Sequence, residues 1–105
     1  MDRVSGAWCL VSGNRMAELE PEDLEVWKLA MELVTNLYRE TRSWPSDEKY
    51  GLISQVRRAA VSVPTNIAEG HHRGSTAEFI HYLRVARGSL AELRTLLRVA
   101  SNVEY

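Results

Sequence analysis

The apolar residues fall into three runs, each with the period of a helix. In the first run, Leu24, Trp27, Met31, Val34 and Tyr38 recur at steps of three and four. Val26, Ala30, Leu33 and Leu37 form a second row beside them. Two adjacent rows make a wide apolar face, as in a helix packed between neighbours. The spacing predicts a helix over about 23–42. Asp23 is its expected N-cap, and Glu22 and Glu25 suit the positive end of the helix dipole. The second run, Ile53, Val56, Ala60, Val63 and Ile67, predicts a helix over about 47–69. The break before it is Ser43-Trp44-Pro45-Ser46, where Pro45 disfavours helical geometry at Trp44 and can open the next helix.

Pro64 lies inside the second run, where it removes one backbone hydrogen bond and is expected to bend the helix near Ala60. Its neighbours are small (Ala59, Ala60, Ser62, Thr65, Ala68), which permits close helix approach. Gly70 is placed to end that helix in a left-handed conformation. Ser75 and Glu78 then form a Ser-x-x-Glu capping box. The third run, Phe79, Leu83, Ala86, Leu90, Leu93, Leu97 and Ala100, keeps a seven-residue repeat and predicts a helix over about 75–101. The fold class is therefore all-α, an antiparallel up-down helical bundle over 21–105. Residues 1–20 show no sustained period and are expected to form a disordered N-terminal extension.

The 105 residues suffice for one modest core, and 45% hydrophobic with 26% charged residues is ordinary for a folded globular chain. Charge is unevenly placed. Residues 1–56 hold six Lys/Arg against ten Asp/Glu, a balance of −4. Residues 57–98 hold seven Arg against three Glu, a balance of +4, which points the second half toward an anionic partner. Cys9 is the single cysteine, so no internal disulfide can form and a reducing, cytoplasmic setting fits. The weakly apolar start is broken by Ser5, Gly6, Ser12 and Gly13, and is read as an extension that is not a signal peptide; Met16 is an alternative start of translation. Nothing approaches the roughly 20 apolar residues of a membrane span.

The strongest candidate for function is a row of arginines on the third helix. Arg84, Arg87, Arg94 and Arg98 stand at spacings of three, seven and four, about 100° around the helix from the apolar seam. Arg57, Arg58 and Arg73 are candidates to extend the field. A planar guanidinium suits phosphate, and several together give salt-dependent nucleic-acid affinity. The competing expectation is that the row solvates a face, or pairs with Glu25, Glu32 and Glu40 of the first helix.

Catalysis has weaker candidates. Glu69 and His72 form one Glu-x-x-His unit, but a bundle metal site needs two such units and further inward carboxylates. Ser62 and Ser89 lack a His and an acid at readable spacing and read as small packing residues. There is no glycine-rich phosphate loop. No cofactor or metal is implied, and the expectation is a non-enzyme. Trp27 is core by spacing and Trp44 is placed to staple a helix start, while Trp8 has no assigned role.

Several segments resemble the small bacterial four-helix-bundle proteins named for intervening sequences in 23S ribosomal RNA genes. They are Asp23-Leu24-Glu25-Val26-Trp27, Tyr50-Gly51-Leu52, Gln55 to Ala60, Ser62-Val63-Pro64-Thr65-Asn66-Ile67-Ala68-Glu69-Gly70, Glu78-Phe79, Ala86 to Ser89 and Glu92-Leu93. The accessory variability proteins of diversity-generating retroelements are similar. The resemblance implies an up-down bundle, assembly into homopentameric rings with basic surfaces, and, for the retroelement members, work with a reverse transcriptase and its template RNA. By motif position it carries over Arg57, Arg58 and Arg87; Arg57 and Arg58 serve equally well as contacts between protomers. Residues 1–20 lie outside the resemblance. The family's turn and fourth helix would follow Tyr105, so the expectation is an exposed apolar groove, left by truncation or covered by another subunit. The function expected is a non-enzymatic oligomeric accessory protein binding RNA or a nucleoprotein complex. The alternative is a protein-interaction scaffold with no nucleic-acid role.

Overall fold

A computed structural model describes residues 19–105. The expected disorder of the N-terminal extension falls almost wholly outside that range. After a 3-10 turn at Pro21–Asp23 come α1 (Glu25–Thr41), a second 3-10 turn (Ser46–Glu48), α2 (Leu52–His72) and α3 (Thr76–Asn102). Among the described residues there are three long helices and no strand, which is the expected all-α bundle. No helix among them is long and apolar enough to cross a membrane.

Helix α2 is the hub, packing against both α1 and α3. Its seam is the best buried part of the molecule: Val56, Ala60, Val63 and Ile67 are all almost fully enclosed. Withdrawing a side chain the size of Val56 or Ile67 from water contributes about 1.5–3 kcal/mol. One cluster joins Leu37, Val56, Ala60 and Leu93, with Leu33 and Leu97 packed against it. The other joins Ala30, Val63, Ile67 and Ala86. Partner numbers rise on one helix as they fall on the next, so the helices run up, down and up. The small residues act as expected at the α2–α3 crossing. There Ser62 and Ser89 are more than packing residues: their hydroxyls meet at 2.7 Å, and the Asn66 amide donates to the Ser62 carbonyl at 2.7 Å and to its hydroxyl at 2.9 Å.

Three expected boundaries move, each because of a specific contact. Asp23 belongs to the preceding 3-10 turn, where its carboxylate accepts the Glu20 N–H at 3.0 Å, and Leu24 is the N-cap of α1. Pro45 opens only the turn at Ser46–Glu48. Helix α2 starts at Leu52 because the Glu48 carboxylate accepts the Leu52 N–H at 3.2 Å, giving that orphan donor a partner. Gly70 does not end α2. It is helical and buried, and the left-handed residue is Gly74, at φ 84°. A side chain at Gly70 would bring Cβ within 2.5 Å of Tyr82 Cβ, so this glycine lets α3 approach. Ser75 does cap α3, accepting the Glu78 N–H at 3.1 Å.

The far end of the bundle is closed by Tyr105. Val103 to Tyr105 turn back on α3, with Glu104 at φ 65° and the Tyr105 N–H on the Ala100 carbonyl at 3.0 Å. The Tyr105 ring lies 5.7 Å from buried Trp44, and its hydroxyl donates to Glu48 at 2.5 Å. That hydrogen bond pushes the Tyr105 phenol up to about 12 and holds the Glu48 carboxyl below its ordinary value. Trp44 thus seals the α1–α2 connection, near its expected role.

Candidate nucleic-acid interface

Helix α3 turns Ala86, Leu93 and Ala100 inward. Arg87 and Arg94 each follow one of these by one residue, so helical geometry aims them to the side of the seam. Arg84 and Arg98 stand beside them, and all four are exposed. At 1.5 Å rise per residue the row is about 21 Å long. Among the described residues none of the four makes an ion pair; the ion pairs present are Lys28–Glu25, Arg73–Glu69 and Arg73–Glu78. The expected alternative pairing with Glu25, Glu32 and Glu40 is not formed. Among the described residues the row is a field of uncompensated guanidinium groups.

An open groove of about 250 Å³ separates α3 from α1. Val26, Leu29 and Leu33 line one wall, Leu83 and Leu90 the other, with Val63 and Ile67 as floor. Leu29 is 62% exposed and Leu90 41%, so apolar surface lies open to water beside the arginines. Arg87 stands on its rim.

The other three candidate arginines lie elsewhere. Arg57 serves the end of α1: its Nε donates to Thr41 Oγ1 at 2.9 Å and its Nη2 to the Tyr38 carbonyl at 3.2 Å. The guanidinium sits 4.5 Å over the Tyr38 ring. A cation on the last carbonyls of a helix is favoured by the dipole. Arg73 closes the α2–α3 connection, donating to Glu69 at 3.2 Å and to the Tyr82 hydroxyl at 2.8 Å. The Glu69 hydrogen bond, with Tyr82 and Glu78 nearby, raises the Arg73 pKa above its ordinary value. Arg58 is exposed on the outer side of α2, away from the seam that α1 and α3 cover. The structure therefore brings together Arg84, Arg87, Arg94 and Arg98 and leaves Arg57, Arg58 and Arg73 outside that row.

The Glu69/His72 unit is part of the same reckoning. Glu69 is held by Arg73, and among the described residues no group of three or more His, Cys, Asp or Glu side chains is placed to hold a metal ion. His71 is buried and stands edge-on to Phe79 at 5.9 Å.

A family model described as 23S rRNA-intervening sequence protein matches residues 22–105. The chain belongs to that family. The match spans the three helices described in this chain and all seven candidate arginines. No curated protein matches the chain. For this member of the intervening-sequence family, the functional reading rests on the α3 row and the groove beside it.

Proposed function

We propose that this protein is a non-enzymatic, homo-oligomeric accessory protein that binds RNA, alone or in a nucleoprotein complex such as one with a reverse transcriptase. Arg84, Arg87, Arg94 and Arg98 make the contact. The observation that carries this reading is that all four are exposed, lie in one row, and have no acid paired with them among the described residues. Unpaired arginines at a surface cost little while hydrated and gain by displacing the counterions of a polyanion. The test is filter binding of labelled RNA to the wild type and to the variant with all four arginines changed to Gln. Loss of tenfold or more in affinity by a folded variant supports the reading; equal affinity overturns it.

A protein-only scaffold is the second reading, and the open α1–α3 groove favours it. It predicts partners that co-purify undiminished after nuclease treatment, whereas the RNA reading predicts their loss. Oligomerisation is common to both, and the family resemblance makes the expected assembly a pentamer. Light scattering at micromolar concentration that returns a monomer contradicts that part of the proposal.

A further inference from the structure

The row on α3 has a composition that favours one form of RNA. Its face, taken around the helix, runs Arg94, Arg87, Arg98, Ala91, Arg84, Thr95 and Gly88. The centre is built of short side chains, and a Cβ added at Gly88 would meet nothing within 4 Å, so the backbone there is open to close approach. No aromatic ring stands on this face. Of the rings of α3, half-buried Phe79 packs on the inner cluster and faces His71, half-buried Tyr82 packs on Gly70 and takes the Arg73 hydrogen bond, and exposed His81 stands just outside the face, about 60° around the helix from Arg84, edge-on to Tyr82 at 5.2 Å. No Asn or Gln lies between the arginines to read a base edge.

Proteins that hold single strands stack successive bases on aromatic side chains, each worth about 1–3 kcal/mol. A face of guanidinium groups without rings lacks that gain. Double-stranded RNA hides its base faces and is recognised by shape and by its phosphates and 2′-hydroxyls. Its dense phosphate charge is what a straight arginine row about 21 Å long can neutralise. Resting on the RNA reading above, we infer that the α3 row binds the sugar-phosphate backbone of double-stranded RNA without regard to sequence.

The test is fluorescence anisotropy with the full chain and four labelled probes: a 20-base-pair RNA duplex, one of its strands chosen to be unstructured, a second duplex of shuffled sequence, and the DNA duplex of the first sequence. The expected result is at least tenfold tighter binding of both RNA duplexes than of the single strand. The two duplexes should agree within about threefold, and the folded four-Gln variant should lose the preference. Single-strand binding as tight as duplex binding overturns the duplex assignment; if the four-Gln variant also loses that binding, the RNA reading still stands. A tenfold preference for one duplex sequence overturns backbone recognition, and tighter binding of the DNA duplex overturns the assignment to RNA. Failure to bind any probe overturns both readings together.

Discussion

Two glycines inside helices should respond to the same substitution with opposite signs. Gly70 lies in α2 and Gly88 in α3, and each lacks a side chain where alanine would improve helix propensity by about 0.8–1 kcal/mol. At Gly88 nothing lies within 4 Å of an added Cβ, so Gly88→Ala should keep nearly all of that gain. At Gly70 the added Cβ would sit 2.5 Å from Tyr82 Cβ and 3.2 Å from Phe79 Cδ1. Ordinary carbon contacts are about 3.5–4.0 Å, so α3 must retreat by about 1 Å. The obstructing atom is bonded directly to the α3 backbone and cannot swing away as a side-chain tip could. Overpacking costs about 1–3 kcal/mol, and a clash with an atom fixed to the backbone belongs in the upper half of that range, about 2–3 kcal/mol, which after the propensity gain leaves Gly70→Ala less stable by about 1–2 kcal/mol. Thermal unfolding by circular dichroism at one fixed protein concentration reads the difference. For a domain of this size 1 kcal/mol is about 4–8 °C in midpoint. Gly88→Ala should melt higher by that amount and Gly70→Ala lower by at least as much. Equal stabilisation by both would refute the claim that Gly70 exists to admit Tyr82.

Arg57→Met should lower stability by about 1–2 kcal/mol in urea unfolding, because it removes two charge-assisted hydrogen bonds from the end of α1. RNA affinity of Arg57→Met should stay within about threefold of wild type, since that guanidinium is committed to Thr41 and Tyr38. The Tyr105–Glu48 hydrogen bond should give a stability difference between wild type and Tyr105→Phe that depends on pH in melts across the range. The phenol's raised pKa makes its contribution complete below pH 10 and lost as pH rises to about 12; the lowered Glu48 pKa makes the carboxylate's contribution present above pH 4.5 and lost as pH falls below it. A difference constant through both ranges would show that the contact does not form in solution. Ser89→Val should cost about 1–3 kcal/mol in the same assay, by leaving the Ser62 hydroxyl short of a partner in a close helix crossing while Asn66 keeps both of its bonds to Ser62.

The bundle was legible in the sequence wherever period alone decides. The seam from Ile53 to Ile67 and the inward Ala86, Leu93 and Ala100 stand where the spacing puts them. Boundaries moved where a specific side-chain contact, tertiary at Gly70 and local at Leu52, overrules the general preference. Gly70 reads as a stop signal by conformational freedom, yet close packing with Tyr82 keeps it in the helix. Leu52 begins α2 because of Glu48, a carboxylate four residues earlier that resembles any first-turn acid. The same distinction divides the arginines. The row from Arg84 to Arg98 is set by one helix and is visible in its spacing. The commitment of Arg57 depends on Tyr38 and Thr41 of another helix, which no local motif reports, and Arg73 adds Tyr82 of α3 to a Glu69 pair whose i,i+4 spacing is visible in the sequence.

The central claim is that the α3 arginines neutralise phosphates, and the salt dependence of RNA binding tests it most directly. Four neutralised phosphates give a slope of log K against log salt of roughly −2.8 to −3.6, a loss of roughly 50–150-fold between 50 and 200 mM. The account predicts that slope for the wild type and a slope near zero for the variant with Arg84, Arg87, Arg94 and Arg98 changed to Gln. A flat wild-type response, or the same steep slope in both proteins, would contradict it.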